Sequence, residues 1–374
     1  MIAEPVAPVT YKRILAVKLA DLGDLLTTTP ALQALRAAHP SAQIDLLVPP
    51  SSAHLLRGVP YLDNILSFDK FAFDSLRGML DIAKLAHTLR FLIRLRLARY
   101  DAIALFHHFT TPWGMLKFDL LLLASGARTR AGLDNGRGHA LTLRIEDRGF
   151  GAMHEADYWL RVASLLGANR KAGWRPHVPI SQADRQVAAR LLGENIRQPV
   201  VAMHAGAGAY SRARIWPVER FAEVARGLVA SHDARIVIVG GPGEEEGAGV
   251  LEGLIGRTHT LSLAGHTSIH ETAAVLERCD LFVGNDSGPM HLAAAVGTPV
   301  VAIFGPSNSH AWGPYTPPGQ ESPHTVVARD LPCMPCFYRG HSLGLKDGCG
   351  TRPCLIGLLA GPVLSSCRQT LDAK

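Results

Sequence analysis

Four short loops place carboxylates, arginines and glycines where chemistry on a phosphorylated ligand is possible. The run Asp280–Pro306, DLFVGNDSGPMHLAAAVGTPVVAIFGP, closes an apolar strand with Asp286-Ser287-Gly288 and then opens a helix of small residues. The unpaired N–H groups and positive dipole end of a helix accept phosphate, and glycine lets a ligand approach the backbone closely. Capping of that helix by Asp286 or Ser287 is the equally ordinary use of these residues. HAGAGAYSRARIWP (His204–Pro217) leaves a second strand through Gly206 and sets Arg212 and Arg214 before a helix, which suits bidentate contact with phosphate. VGGPGEEE (Val239–Glu246) brings Glu244 to a third strand end, either for ribose hydroxyls or as an acidic helix start. VKLADLGDLLTTTP (Val17–Pro30) offers Asp21 and Asp24 at the end of the first strand. None of these is a Walker loop, and no Gly-x-Gly-x-x-Gly follows the first strand, which argues against an NAD or FAD enzyme.

Those loops need strands and helices to hold them. RILAVKL reads as a strand buried on both faces of a parallel sheet, because it is mostly apolar without sustained alternation, and QIDLLVP and DAIALFHH read as further strands. ARTRAGL (Ala127–Leu133) reads as another edge, and PALQALRAAH as a helix opened by Pro30. The same grammar restarts after the Pro-containing segment Gly173–Ile180, with PVVAMHAG, a helix opened by Pro217, and ARIVIVGGPG. The chain therefore divides into two doubly wound α/β domains, 1–180 and 181–355, followed by a tail, 356–374. Ligands are expected at the carboxyl ends of strands and in the cleft between domains.

Composition narrows the classes further. Hydrophobic residues make up 47% and charged residues 19%, which excludes a disordered chain. A net charge of +6 suits phosphorylated or membrane-surface partners, without the dense basic block of a nucleic-acid binder. No secretory signal and no run of about 18 apolar residues is evident, so a cytoplasmic protein with six reduced cysteines is expected.

Taken in order along residues 13–356, VKLADLGDLLTTTPAL, RARIWP, GGPGEEE and GNDSGPMHLAAAVGTPVVAIFGP resemble the bacterial heptosyltransferase family, glycosyltransferase family 9. The resemblance implies a GT-B fold of two Rossmann-like domains, the N-terminal one for the acceptor and the C-terminal one for the sugar nucleotide. It implies inverting, metal-independent transfer of a heptose from ADP-heptose to a lipid-linked, lipopolysaccharide-type acceptor. On the motif positions, Asp24 becomes the general base and Arg214 the contact to the donor phosphates. Glu244 falls where relatives hold the ribose, with Gly206 beside the phosphates. Asp286, Ser287, Gly288 and His291 fall on the D-[ST]-G-x-x-H-L signature. The simpler reading of Asp24 is a cap on a helix starting near Leu25. Arg128, Arg130 and Arg137 add positive charge on the acceptor side, while the pair His107-His108 is read as structural or solvated. Competing classes are another sugar or a protein acceptor, a nucleotide-sugar epimerase, and a non-catalytic nucleotide-binding protein. No nucleic-acid partner is expected.

Two features lie outside that chemistry. Leu76–Tyr100 carries six Lys/Arg against one Asp, with Met79, Ile82, Ala86, Leu89, Ile93 and Leu97 forming an apolar stripe. Its ordinary reading is a helix packed by that stripe on its own sheet; the functional one is a peripheral helix on the anionic inner face of a membrane. Cys333, Cys336, Cys349 and Cys354 have spacing that fits a tetrahedral thiolate site, so a structural zinc or iron and four free thiols both stand as readings. The tail is expected to hold a helix returning to the N-terminal domain, interrupted at Gly361-Pro362.

Overall fold

The computed structural model describes residues 10–69, 81–194, 196–208 and 211–373, in two compact units. The first comprises the chain up to Gly149 together with Glu155–Trp174; the second comprises Phe150–His154 and the chain from Arg175. The division thus falls six residues before the expected boundary at 180. A five-residue excursion, Phe150–His154, also belongs to the second unit although unit-one sequence flanks it on both sides. Composition could not show this. The assignment rests on the Phe150 N–H donating to the Gly340 carbonyl and on Phe150 packing with Trp312.

In the first unit the elements run β1 (Arg13–Val17), α1 (Leu22–Leu26), α2 (Thr29–Ala38), β2 (Gln43–Val48), β3 (Asn64–Ser67), α3 (Ile82–Leu97), β4 (Ala102–Leu105), α4 (Pro112–Ser125), β5 (Thr129–Asp134), β6 (Leu143–Glu146) and α5 (Glu155–Ser164). All neighbouring strands are parallel, in the order β3-β2-β1-β4-β5-β6. β1 is central, which is why Ile14–Val17 are fully buried and apolar on both faces. β5 is not the edge the sequence suggested. The short strand LRIE of β6 pairs outside it, and its alternating partial burial carries too little apolar signal to be read in advance.

The second unit continues with α6 (Gln182–Leu192), β7 (Val200–His204), α7 (Val218–His232), β8 (Arg235–Ile238), α8 (Glu245–Ile255), β9 (Thr260–Ser262), α9 (Ile269–Glu277), β10 (Leu281–Asn285), α10 (Gly288–Ala295), β11 (Val300–Phe304), α11 (Ser309–Trp312), β12 (Thr325–Ala328), the antiparallel pair β13 (Phe337–Arg339) and β14 (Ser342–Gly344), α12 (Pro353–Ile356) and α13 (Ala360–Asp372). The parallel order β12-β11-β10-β7-β8-β9 repeats that of the first sheet when each is counted from its own first strand. Both are Rossmann-like, as the expected fold class requires. The order reverses between β1 and β4 in one unit and between β7 and β10 in the other, and the carboxyl ends of those strand pairs are where such sheets bind ligands.

Two helices depart from expectation. α13 runs without interruption, because Gly361 and Pro362 lie in its first turn, where a missing N–H has no intrahelical partner to lose. Nor does the tail return to the first unit. Val363 and Cys367 are fully buried in the second unit's core, and Leu364 fills the space a side chain on Gly227 of α7 would occupy. The basic helix is α3, capped by Asp81, which accepts from the Ala83 and Lys84 N–H groups; Leu76–Leu80, Met79 included, lie outside the described residues. α3 packs through Phe91, Leu95 and Ala98. The stripe expected to face the sheet, Ile82, Leu89, Ile93 and Leu97, faces solvent instead. Among the described residues no helix is long and apolar enough to cross a membrane.

Candidate functional site

In the first unit, Lys18 follows β1 and is almost wholly buried. Its ammonium lies 4.1 Å from the Trp159 ring centroid and 3.6 Å from Asp24 Oδ1. A buried ammonium is tolerable only with such partners, an aromatic face and a carboxylate. Asp24 sits in the third position of α1, one turn past β1. Asp21, not Asp24, occupies the N-cap position, and the Asp21 side chain makes no cap hydrogen bond. Asp24 thus lies inside the first turn of α1 instead of before a helix starting near Leu25. Its side chain is 29% exposed and tethered from one side by Lys18, while Thr27 and Thr28 hydroxyls donate to its backbone carbonyl. Asp21 is exposed on the loop before it.

Behind Trp159 lies a network the sequence did not disclose. His108, 5.3 Å from that ring between centroids, has Asp147 at Nδ1 and Glu155 at Nε2, each at 3.0 Å. Burial by itself pushes the imidazole down. The Glu155 charge and the hydrogen bonds to both carboxylates overcome it and raise the group to about 9. His108 is thus a buried structural cation, in line with reading the His107-His108 pair as structural. Arg130 and Arg137 are engaged with loop carbonyls, Arg130 with Ala127 and Ala140, Arg137 with Phe109 and Thr110. Only Arg128 of the three acceptor-side arginines is exposed.

In the second unit, the carboxyl ends of β7, β8 and β10 bring the remaining candidates together. His204, the last residue of β7, reaches Ser287 Oγ through Nδ1 at 3.0 Å and the Glu244 carboxylate through Nε2 at 3.1 Å. Glu244 Oε2 also accepts the Gly241 N–H at 2.8 Å. Burial works to raise the Glu244 carboxyl, but the His204 hydrogen bond and charge, with backbone donors from Gly241 and Gly208, leave it below the ordinary carboxylate value. Gly206 leaves room for this pair: a Cβ on it would meet Glu244 Oε1 and His204 Nε2 and force the Glu244 carboxylate to shift. Asn285 locks the same corner, donating to the Ala205 and Gly206 carbonyls and accepting the Trp216 N–H.

Ser287 occupies the N-cap position of α10 without capping it, since its hydroxyl serves His204 and the Asn285 carbonyl. That favours the reading in which the helix end is left for a ligand over the one in which it is capped. No atom lies within 4 Å of where a Gly288 side chain would be, so the approach to the helix N-terminus is open, and Pro289 sits in the first turn as expected. Arg214 pairs with Asp286 at 3.3 Å and also donates to the Ala207 carbonyl. His291, in α10, is buried. Gly206, Arg214, Glu244, Asp286, Ser287 and Gly288 therefore share one corner of the sheet. His204 and Asn285, which sequence reasoning passed over, organise it. A polar residue closing the apolar run VVAMH was the available signal for His204.

The four clustered cysteines lie close enough to influence one another, Cys336 with Cys333 and Cys349, and Cys354 with Cys336 and Cys349. Among the described residues no group of three or more His, Cys, Asp or Glu side chains is placed to hold a metal ion. Cys333 and Cys349 are exposed, Cys354 is buried, and all are free thiols. No step is assigned to a metal there.

The sequence model described as Glycosyltransferase family 9 (heptosyltransferase) matches residues 90–346. Lipopolysaccharide heptosyltransferase 2 of Escherichia coli K12 is 25% identical over 321 residues, covering 82% of this chain and 85% of that protein. Among solved structures, the E. coli ADP-heptose LPS heptosyltransferase II superposes with a TM-score of 0.72 at 20% identity, over 96% of this chain and 99% of the other. A glycosyltransferase family 9 protein from Veillonella parvula gives 0.72 at 23% identity, over 98% and 99%.

Proposed function

The chain belongs to glycosyltransferase family 9, and as a glycosyltransferase of that family we propose that it moves a heptose from ADP-heptose to a lipopolysaccharide-core acceptor. The observation that carries the reading is the polar corner of the second unit, where Glu244, Arg214 and the open N-terminus of α10 meet at the strand ends. Glu244, ionised and held by His204, offers a carboxylate to ribose hydroxyls. Arg214 and the backbone N–H groups at Gly288 stabilise the negative charge that grows on the departing diphosphate, which is the work of preorganised donors. Asp286, beside Arg214, orients the guanidinium.

Asp24 supplies the general base. Inverting transfer requires a carboxylate to take the proton of the acceptor hydroxyl as that oxygen attacks the anomeric carbon. Lys18 lies 3.6 Å from one oxygen of this carboxylate, whose side chain is 29% exposed. No metal enters this scheme, since cationic side chains and helix-end amides replace it at the diphosphate.

The test is a panel of ADP-, GDP- and UDP-sugars, measured by thermal stabilisation and by transfer or hydrolysis. ADP-heptose is expected to stabilise the protein and be consumed at an unchanged rate in EDTA. A response to a UDP-sugar with none to ADP would reject the donor assignment. Asp24→Asn is expected to lose roughly two to four decades in rate while keeping ADP affinity, the usual contribution of such a group.

A further inference from the structure

We propose that the outer face of α3 and α4 in the first unit is a docking surface for an anionic lipid bilayer. The fold leaves that face bare. On α3, Ile82, Leu89, Ile93 and Leu97 are 81%, 60%, 49% and 71% exposed, and Leu85 flanks them. Their spacing of seven, four and four residues keeps them on one side of the helix. α4 packs beside α3 and continues the surface with Trp113, Leu116, Leu120 and Leu123, again at three- and four-residue steps. Nine of the fifteen exposed large apolar side chains among the described residues lie on these two helices. Such concentration marks an interaction site, because scattered single residues are the norm on a soluble surface.

Charge selects the occupant. Counting α3 and α4 with their flanks, residues 81–99 and 112–125, Lys84, Arg90, Arg94, Arg96, Arg99 and Lys117 stand against Asp81 and Asp119. Asp81 is consumed as the α3 cap, and Asp119 accepts the Ala140 N–H. Arg90 and Arg94 fall about 80° and 120° around the helix from Ile82, at the border of the apolar stripe, at about 100° per residue. Long basic side chains at such a border reach phosphates while their stems lie along acyl chains. Trp113, with the Lys117 ammonium 6.0 Å from its ring, is an aromatic of the kind that settles at a membrane interface. A two-fold related second copy would bring the same cations against each other, so self-association is disfavoured on this face. With no membrane-spanning helix among the described residues, the contact is one of lying on the surface.

The inference is independent of which sugar is transferred. Its test is vesicle flotation of the full chain, comparing phosphatidylcholine vesicles with vesicles of phosphatidylcholine and phosphatidylglycerol in equal parts. The wild type should float with the anionic vesicles at low salt and release as salt rises. Arg90→Gln with Arg94→Gln should weaken partitioning on the order of twenty-fold, about fivefold for each cation. Leu89→Gln with Ile93→Gln should weaken it at least about tenfold. These positions are exposed, and unchanged circular-dichroism melts will show that the variants fold. Failure of the wild type to float with anionic vesicles overturns the proposal, as does equal flotation of the variants. A concentration-dependent dimer that the Leu89/Ile93 substitutions dissociate overturns it in favour of a second copy.

Discussion

Replacing His108 by glutamine isolates one buried charge and its effect on stability. In the folded first unit the imidazole lies between Asp147 and Glu155, whose side chains are each 1% exposed. The ring rises from 6.5 to about 9, with burial opposing the rise and the two carboxylates driving it. A value raised on folding stabilises fully below the unfolded value, and the contribution fades as pH climbs through the folded one. The window is therefore roughly pH 6.5 to 9. At about 1.4 kcal/mol per unit, that window is worth about 3.5 kcal/mol in full. The range of about 3–5 kcal/mol for breaking a buried ion pair agrees. Pulse proteolysis in urea, with peptides from β4 to α5 reporting the first unit and peptides from β7 to β11 serving as control, reads the loss directly. His108→Gln should lower first-unit stability by about 3 kcal/mol at pH 6 and by much less at pH 10. A gap of the same size at both pH values would mean that the imidazole is neutral in the fold and that the argument from its carboxylates is wrong.

Other outcomes follow from the same geometry. Lys18→Met should cut kcat about a hundredfold, the scale of a misplaced reacting group, with little change in KM for the sugar nucleotide, and Lys18→Arg should restore part of it; an equal rise in KM would point to donor binding instead. Gly206→Ala should weaken ADP binding at least about tenfold in calorimetry, because its methyl displaces Glu244 from His204. Among the thiols, Cys349, lowered by backbone hydrogen bonding from Arg352 and by the Thr351 hydroxyl, should alkylate first at pH 8. Cys367, pushed up to about 12 by burial, should alkylate last. Mass spectrometry gives the order, and early Cys367 labelling would show α13 detaching from its core.

Much of this architecture was legible in the residues. The continuous apolar runs at Arg13–Val17 and Val200–His204 could only be strands covered on both faces, and the polar loops at their carboxyl ends followed from parallel topology. Each loop of the second-unit corner had an ordinary capping use as well, and it was their recurrence at successive strand ends, with the family resemblance, that singled them out. Partnership was not legible. Lys18 reads as one cation in an apolar run, and nothing local says that Trp159, more than a hundred residues away, lies beneath it. His204 and Asn285 were hidden for the same reason, as their roles are defined by Ser287, Glu244 and Trp216 across the sheet. The apolar stripe of α3 was seen, but its period gives a face and not the direction in which it points. The helix had a second packing stripe, Phe91, Leu95 and Ala98, and that one faces the core.

The excursion at Phe150–His154 bears on how such a chain could have been put together or taken apart. Phe150 completes the cluster of Ala311, Trp312, Tyr338 and Leu343, its ring 5.1 Å from that of Trp312, and the His154 ring lies 4.7 Å from Tyr315. A gene fragment beginning after residue 174 would leave that cluster unfilled, and one ending there would carry an orphaned apolar loop. Cut at that boundary, neither piece keeps its full complement of contacts.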